Sequence, residues 1–570
     1  MALRRRELGG LGSLLCLALW LRVWGLEQGY PAMYGHVDEV GVAASVWNFY
    51  RAHTLLPTEF TYPALYSYLT AAMLYVATLL GWGPHWQGTI DSLVLISYLD
   101  PARAALVGRW ISVLLGTATV YATFALGRRV GGVEVGLVAA ALAAVARVPV
   151  QQAHYALPDT AMAFGALCAL WAAWHIADGG AWRAYVLAGV AAGCVVATKY
   201  NGALIALAIP VAHMLRAQWR WTALSDAKLW SAIAVSFAAL FVGSPYVFLA
   251  ADKYWTVATY QFSSLDFSLA HTQPWWWIVR SLLEYEWGVG AAMLLGMGWA
   301  LWKRGPFEIL LISTWIPSFI YIGSWTRESL HYVLHFYPLW GIAAALALTW
   351  ARRRMGLGGI WQWIGVFILS APSVYAAAES GREMAQPDVR GQAAAWIEQR
   401  ADEGTVLATT WMPYGPQLEL QAARRGLAEA YRSQPQALAI LEQYWARRPA
   451  FELVNLEMWL KQPVVPEAYG PYIDLDDPET RRVFSRGWLS PRQLKSRGVR
   501  YIVLPEAAYG RYIESEPPPG GLSAAHYHHA KNRAYFSNLI NPANGEVERV
   551  ARFAARNGEK GAAIAIYRLR

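Results

Sequence analysis

Four short clusters carry ionisable side chains at spacings that suit group transfer. The first is His36-Val37-Asp38-Glu39. Adjacent carboxylates repel, which favours one of them holding a proton and suits a general base near neutral pH. The competing structural role is that Asp38 caps a helix over 40–52, with Glu39 favoured by the helix dipole. The second cluster is Gln151-Gln152-Ala153-His154-Tyr155, followed by Pro158-Asp159-Thr160, where Asp159 is either a helix cap or an acid of the site. The third, Thr198-Lys199-Tyr200-Asn201-Gly202, sets a lysine between two short apolar stretches. Its ammonium either snorkels to headgroups or pairs with a phosphate. In the fourth, Arg327-Glu328-Ser329-Leu330-His331-Tyr332, Arg327 and His331 share a helical face and either cradle a phosphate or anchor an interface. Two acidic and two basic clusters together suggest a site that activates a nucleophile and neutralises a leaving anion.

The elements that must position these residues are apolar. Of the 570 residues 56% are hydrophobic and 15% charged, well below the roughly 25% charge of soluble domains. The deficit is uneven: about 11% of residues 1–378 are charged against about 24% of residues 379–570. Disorder, collagen and a single soluble enzyme are excluded. At the ~20-residue length a bilayer demands, apolar stretches fall near 9–26, 105–127, 133–150, 161–177, 185–198, 202–216, 229–249, 288–302, 307–323, 334–350 and 359–378. The expected fold is therefore an α-helical polytopic membrane protein of about 11 transmembrane helices. Arg4–Arg6 before the first stretch resembles a signal peptide, but no small-x-small site follows Trp24, so a retained helix is expected.

Alternate connections carry Arg4–Arg6, Arg128-Arg129, Arg183, Arg216 to Lys228, Lys303-Arg304 and Arg352–Arg354. The positive-inside rule makes that side cytoplasmic, with the N-terminus there. The four clusters and the C-terminal region then lie on the outer face. Segments 40–52 and 63–81 read as interfacial juxtamembrane helices on that face. These short basic runs are a topology signal and not a nucleic-acid footprint. Residues 379–570 read as a separate soluble α/β or α+β domain, with a helix over 391–400, strands at Val406-Leu407, 499–504 and 562–567, and a loop at 516–521. It contains no catalytic motif. Cys16, Cys168 and Cys194 all sit in apolar segments, so neither a disulfide framework nor a cysteine metal site is expected.

The order Leu21-Arg22-Val23-Trp24, Asp38-Glu39, Tyr62-Pro63, His154 to Asp159, Thr198-Lys199-Tyr200 and His331-Tyr332 before Pro338 resembles the glycosyltransferase C superfamily. The similar branch holds protein O-mannosyltransferases and lipid A aminoarabinose transferases, and the likeness runs over about 10–350. The resemblance implies a membrane enzyme that moves a hexose or pentose from a polyprenyl-phosphate carrier to a glycan, lipid or protein acceptor, with inversion. On that footing Asp38 is the general base, Glu39 orients or tunes it, Asp159 is a second acid, and Lys199 meets the lipid phosphate. Arg327, His331, His154 and Tyr62 are expected around the donor. Tyr62 stands where the aminoarabinose transferases carry a charge, which speaks against that substrate, and His331 stands where the family often has arginine. No cofactor is required by this reading, and a divalent ion shared by Asp38, Glu39 and His154 is the less favoured variant. A lipid-linked glycan ligase or polymerase and a transporter remain as alternatives.

Overall fold

The computed structural model describes residues 5–30, 35–36, 38–83, 86–264, 275–325, 328–410, 415–456, 488–514, 524–541, 545–554 and 563–570. Its contacts divide the chain into two units. One holds 1–26, 38–82 and 103–385; the other holds 27–37, 83–102 and 386–570.

The first unit is all helix. Each of the eleven apolar stretches falls on helical structure, and five helices are long and apolar enough to cross a membrane: Arg103–Gly131, Asp159–Asp178, Pro306–Gly323, Leu330–Arg354 and Gly359–Met384. Segments 40–52 and 63–81 form helices Glu39–Arg51 and Leu65–Leu79. Several stretches are broken, and one break has a clear cause. A helix running through 133–150 would drive the ring of Pro149 against the carbonyl of Val145. The helix therefore ends at Val145, Ala146 turns extended (φ −55°, ψ 125°), and a short helix restarts over Arg147–Gln152. The freed backbone groups need internal partners where water is absent. Buried Arg22 donates to the carbonyls of Ala144 (3.0 Å) and Ala143 (3.3 Å). Buried Glu286 accepts the amides of Arg147 (2.7 Å) and Val148 (2.8 Å).

Helices Trp182–Thr198 and Ala227–Gly243 approach closely through Gly189 and Gly193, four apart on one face. A Cβ at Gly193 would lie 2.2 Å from the Ser236 carbonyl oxygen, the small-residue packing that lets membrane helices meet.

The second unit is built on a six-stranded sheet of β1 (Val406–Thr409), β2 (Glu419–Leu420), β3 (Ala450–Asn455), β4 (Val499–Pro505), β5 (Val547–Phe553) and β6 (Ile564–Leu569), in the order β2-β3-β1-β4-β6-β5. The first four are parallel, and β6 and β5 add an antiparallel edge. Alternate residues face opposite sides: Ala408, Ile502 and Leu504 enter one core, Leu407, Val503 and Ile566 the other. The helix Val389–Arg400 and the strands expected near 406, 499–504 and 562–567 are present, and the 516–521 loop lies outside the described residues. Helix Thr89–Leu99, not anticipated from sequence, also belongs here, with Trp86 and Leu95 packed on Tyr431, Ala437 and Leu441.

Candidate active site

The two adjacent carboxylates part company in the structure. Glu39, the first residue of helix Glu39–Arg51, is fully buried. Arg109 grips it with two bonds, Nε to Oε1 and Nη2 to Oε2, both 2.8 Å. The same guanidinium reaches the Leu26 carbonyl at 3.0 Å, and Glu39 Oε1 also accepts the Ala156 amide at 2.8 Å. Glu39 thus ties three segments together: its own helix, helix Arg103–Gly131, and the 153–158 turn that leads to Asp159. A paired, planar contact of this kind fixes geometry as well as charge.

Asp38, one residue earlier, is exposed, and its side chain makes no capping bond to the helix it precedes. The structure therefore does not realise the capping role, and it leaves Asp38 on the accessible side of a rigid anchor. The Tyr62 phenol lies in the field of both Asp159 and Asp38. Burial first, then those two carboxylates, holds it protonated well above the usual tyrosine range.

Asp159 and Lys199 form a buried ion pair at 2.7 Å. The ammonium lies 4.9 Å from the centre of the Tyr62 ring and 5.9 Å from that of Tyr332, within cation–π range. Lys199 sits where helix Trp182–Thr198 gives way to the 3-10 turn Tyr200–Leu207. That turn is tied to the Leu330–Phe336 turn by Asn201 donating to the Tyr332 carbonyl at 3.2 Å. His331 shares a 2.6 Å contact with Ser329 and lies in the field of Asp159. A small cleft opens alongside, lined by Gly41, Ser45, Glu59, Tyr62, Tyr66 and Pro158.

Asp38, Tyr62, Asp159, Lys199 and His331 therefore gather in one region. His154 does not offer itself to a ligand: it is buried, with Nδ1 2.9 Å from the Val150 carbonyl and Nε2 3.0 Å from that of Trp24. Arg327 lies outside the described residues. Among the described residues no three His, Cys, Asp or Glu side chains are grouped as a metal site, and Glu39 and His154 are engaged elsewhere. Arg109 and Glu59 were not singled out in the sequence, and Tyr332 was named there beside His331 without a role. His335, which follows the fourth cluster in the sequence, is buried near Asp159 with neither ring nitrogen hydrogen-bonded. Arg109 had a legible signal, an arginine inside an apolar stretch.

The chain is similar in sequence and in fold to known proteins. Residues 102–248 match the family described as dolichyl-phosphate-mannose-protein mannosyltransferase. No curated protein sequence matches significantly. Among solved structures, the chain is similar to ArnT from Cupriavidus metallidurans bound to undecaprenyl phosphate, at 14% identity and TM-score 0.53 over 98% of each chain. It is also similar to the archaeal oligosaccharyltransferase AglB from Archaeoglobus fulgidus, solved with an inhibitory peptide and a dolichol-phosphate. There the identity is 12% and the TM-score 0.52, over 93% of this chain and 71% of that one. The chain shares the fold of these solved structures, in keeping with the resemblance carried by the motif order.

Proposed function

We propose that the protein is an inverting glycosyltransferase that takes a sugar from a polyprenyl-phosphate carrier and passes it to an acceptor on the outer face of the cytoplasmic membrane. The observation that carries this reading is the split of the Asp38-Glu39 pair. One carboxylate is locked by Arg109 and the Ala156 amide; its neighbour is exposed and acts electrostatically on Tyr62, whose ring lies 4.9 Å from the ammonium of the Asp159–Lys199 pair. In the reaction, the acceptor hydroxyl oxygen attacks the anomeric carbon, its proton passes to Asp38, and the bond from that carbon to the phosphate oxygen breaks. The departing phosphate is already anionic, so it needs a cation and no acid. Lys199 supplies that cation, held in place by Asp159. Glu39 is a positioning residue.

The orientation is supported by where the basic runs lie. Arg129 pairs with Asp178, at the far end of the helix that Asp159 begins. Lys228 donates to the Gly180 carbonyl at 3.2 Å, and Arg352 pairs with Glu134 at 2.9 Å. Basic residues thus gather at the helix ends opposite Asp159, which makes the site end the outer one. On this reading the helices beyond the five long ones also cross the membrane, giving eleven spans, and residues 379–570 are the core of an extracytoplasmic domain. The fold's relatives include a protein bound to undecaprenyl phosphate, which favours a lipid-phosphate donor.

The test is transfer by protein reconstituted in proteoliposomes, comparing polyprenyl-monophosphate sugars with polyprenyl-diphosphate oligosaccharides. Transfer from the monophosphate donors alone is the expected result. Transfer from the diphosphate donors alone would make the protein a glycan ligase or polymerase instead.

A further inference from the structure

Arg147, at the break in the helix, is a charge that the site does not use. It opens helix Arg147–Gln152, and its main-chain amide is held by Glu286. Its guanidinium lies 5.7 Å from the ring centre of Tyr285 and 5.7 Å from that of Trp287. Those rings are 50% and 38% exposed, so the cation sits in an open aromatic bracket. Of the two acids that flank Tyr285, Glu284 is exposed and Glu286 has both oxygens on the amides of Arg147 and Val148. Among the described residues no carboxylate forms an ion pair with Arg147.

The bracket is built with strain. Trp287 takes φ 44°, ψ −117° within helix Trp276–Lys303, a conformation that L side chains rarely adopt. Gly290 permits the kink, since a Cβ there would lie 2.0 Å from the Leu282 carbonyl oxygen.

Depth matters next. Helix Val133–Val145 starts beside the Glu134–Arg352 pair and rises about 20 Å before the break, while Trp287 is about 24 Å along its helix from Lys303. In a core about 30 Å thick, both groups sit within the bilayer, toward the Asp159 end. Glu286 acts on Arg147 electrostatically while its oxygens are taken up by main-chain amides, so an arginine at membrane depth with no direct ion pair favours an anion the bilayer can deliver. A planar guanidinium between aromatic faces matches a phosphate with an acyl or prenyl chain lying along the rings.

We propose that Arg147, Tyr285 and Trp287 form a second lipid-phosphate site within the outer leaflet, separate from Lys199. The ligand is a phosphate ester on a lipid, either the polyprenyl carrier or a bilayer phospholipid. The site rests on the bilayer placement of the helices and not on the reaction assigned above.

The full-length protein in detergent, titrated with undecaprenyl phosphate and with phosphatidylglycerol and read by native mass spectrometry, tests it. The expected result is that Arg147→Met binds one fewer phosphate lipid than wild type while Lys199→Met keeps that site. Loss of undecaprenyl phosphate identifies the carrier as the occupant; loss of phosphatidylglycerol alone identifies a bilayer lipid. In parallel, photoactivatable forms of both lipids are cross-linked to the wild-type protein and mapped by peptide. Adducts at Tyr285 or Trp287 are expected, and this arm decides if Arg147→Met does not fold. Unchanged stoichiometry in a folded Arg147→Met protein, or adducts that never fall on residues 285–287, would overturn the proposal.

Discussion

At the residue scale, burial separates the acids that hold the site from the one a substrate can reach. Glu39 and Asp159 are buried, each with a cation within bonding distance, whereas Asp38 is solvent-exposed. Asp38→Asn should lower kcat by about 10²–10⁴, the usual contribution of a general base, and leave thermal stability and donor affinity unchanged. Steady-state transfer and a lipid-binding titration on the same preparation check this. Glu39→Gln should behave differently. Leaving Arg109 buried without its partner costs about 3–5 kcal/mol, so the melting temperature and activity should fall together. Lys199→Met should likewise destabilise by stranding Asp159. The double variant Asp159→Asn/Lys199→Met should regain most of that stability and still transfer no sugar, which thermal unfolding beside an activity assay would show. The Asp-Glu pair, Asp159 and Lys199 were all legible in the sequence as charges out of place. What could not be read was which acid pairs with which cation, because Glu39 and Arg109 are 70 positions apart and their contact depends on tertiary packing.

At the element scale, breaks in helices matter more than their lengths. The sequence shows the apolar stretches but not that Pro149 splits one of them, nor that Arg22 and Glu286, from distant helices, satisfy the freed carbonyls and amides. Arg22 therefore has a structural role within the Leu21 to Trp24 motif, and Glu286 holds the segment that presents Ala156 to Glu39. His154 is part of the same scaffold, its ring nitrogens set against the Val150 and Trp24 carbonyls. The helix carrying Lys199 is set by Gly189 and Gly193 against its neighbour. Gly193→Val should force those helices apart and cost about 1–3 kcal/mol. Donor binding should weaken as well, because Lys199 follows the end of that helix. Gly365→Ala, where a Cβ meets nothing within 4 Å, is the control expected to leave both properties unchanged. Thermal unfolding and donor titration on the two variants separate packing from a general effect of losing a glycine.

At the scale of the whole molecule, charge density already separates an apolar first part from a charged C-terminal part. It does not reveal that 27–37 and 83–102 go with the C-terminal residues. These segments lie early in the chain, and their membership rests on contacts such as Trp86 and Leu95 against Tyr431 and Leu441. Truncation after residue 385 should therefore leave helix Thr89–Leu99 without its apolar partner, and limited proteolysis should cut within 83–102 in the truncated protein but not in the full chain. The proposed outer-face placement of the site leads to a single decisive experiment. Sealed proteoliposomes are loaded with a polyprenyl-phosphate sugar that the protein accepts and given a membrane-impermeant acceptor, with wild-type and Asp38→Asn protein at matched orientation and amount. The account predicts wild-type transfer only where the end bearing Asp38 faces the acceptor, and donor binding without transfer for Asp38→Asn. Undiminished transfer by a folded Asp38→Asn protein, or transfer to acceptor on the side of Arg129 and Arg352, would contradict it.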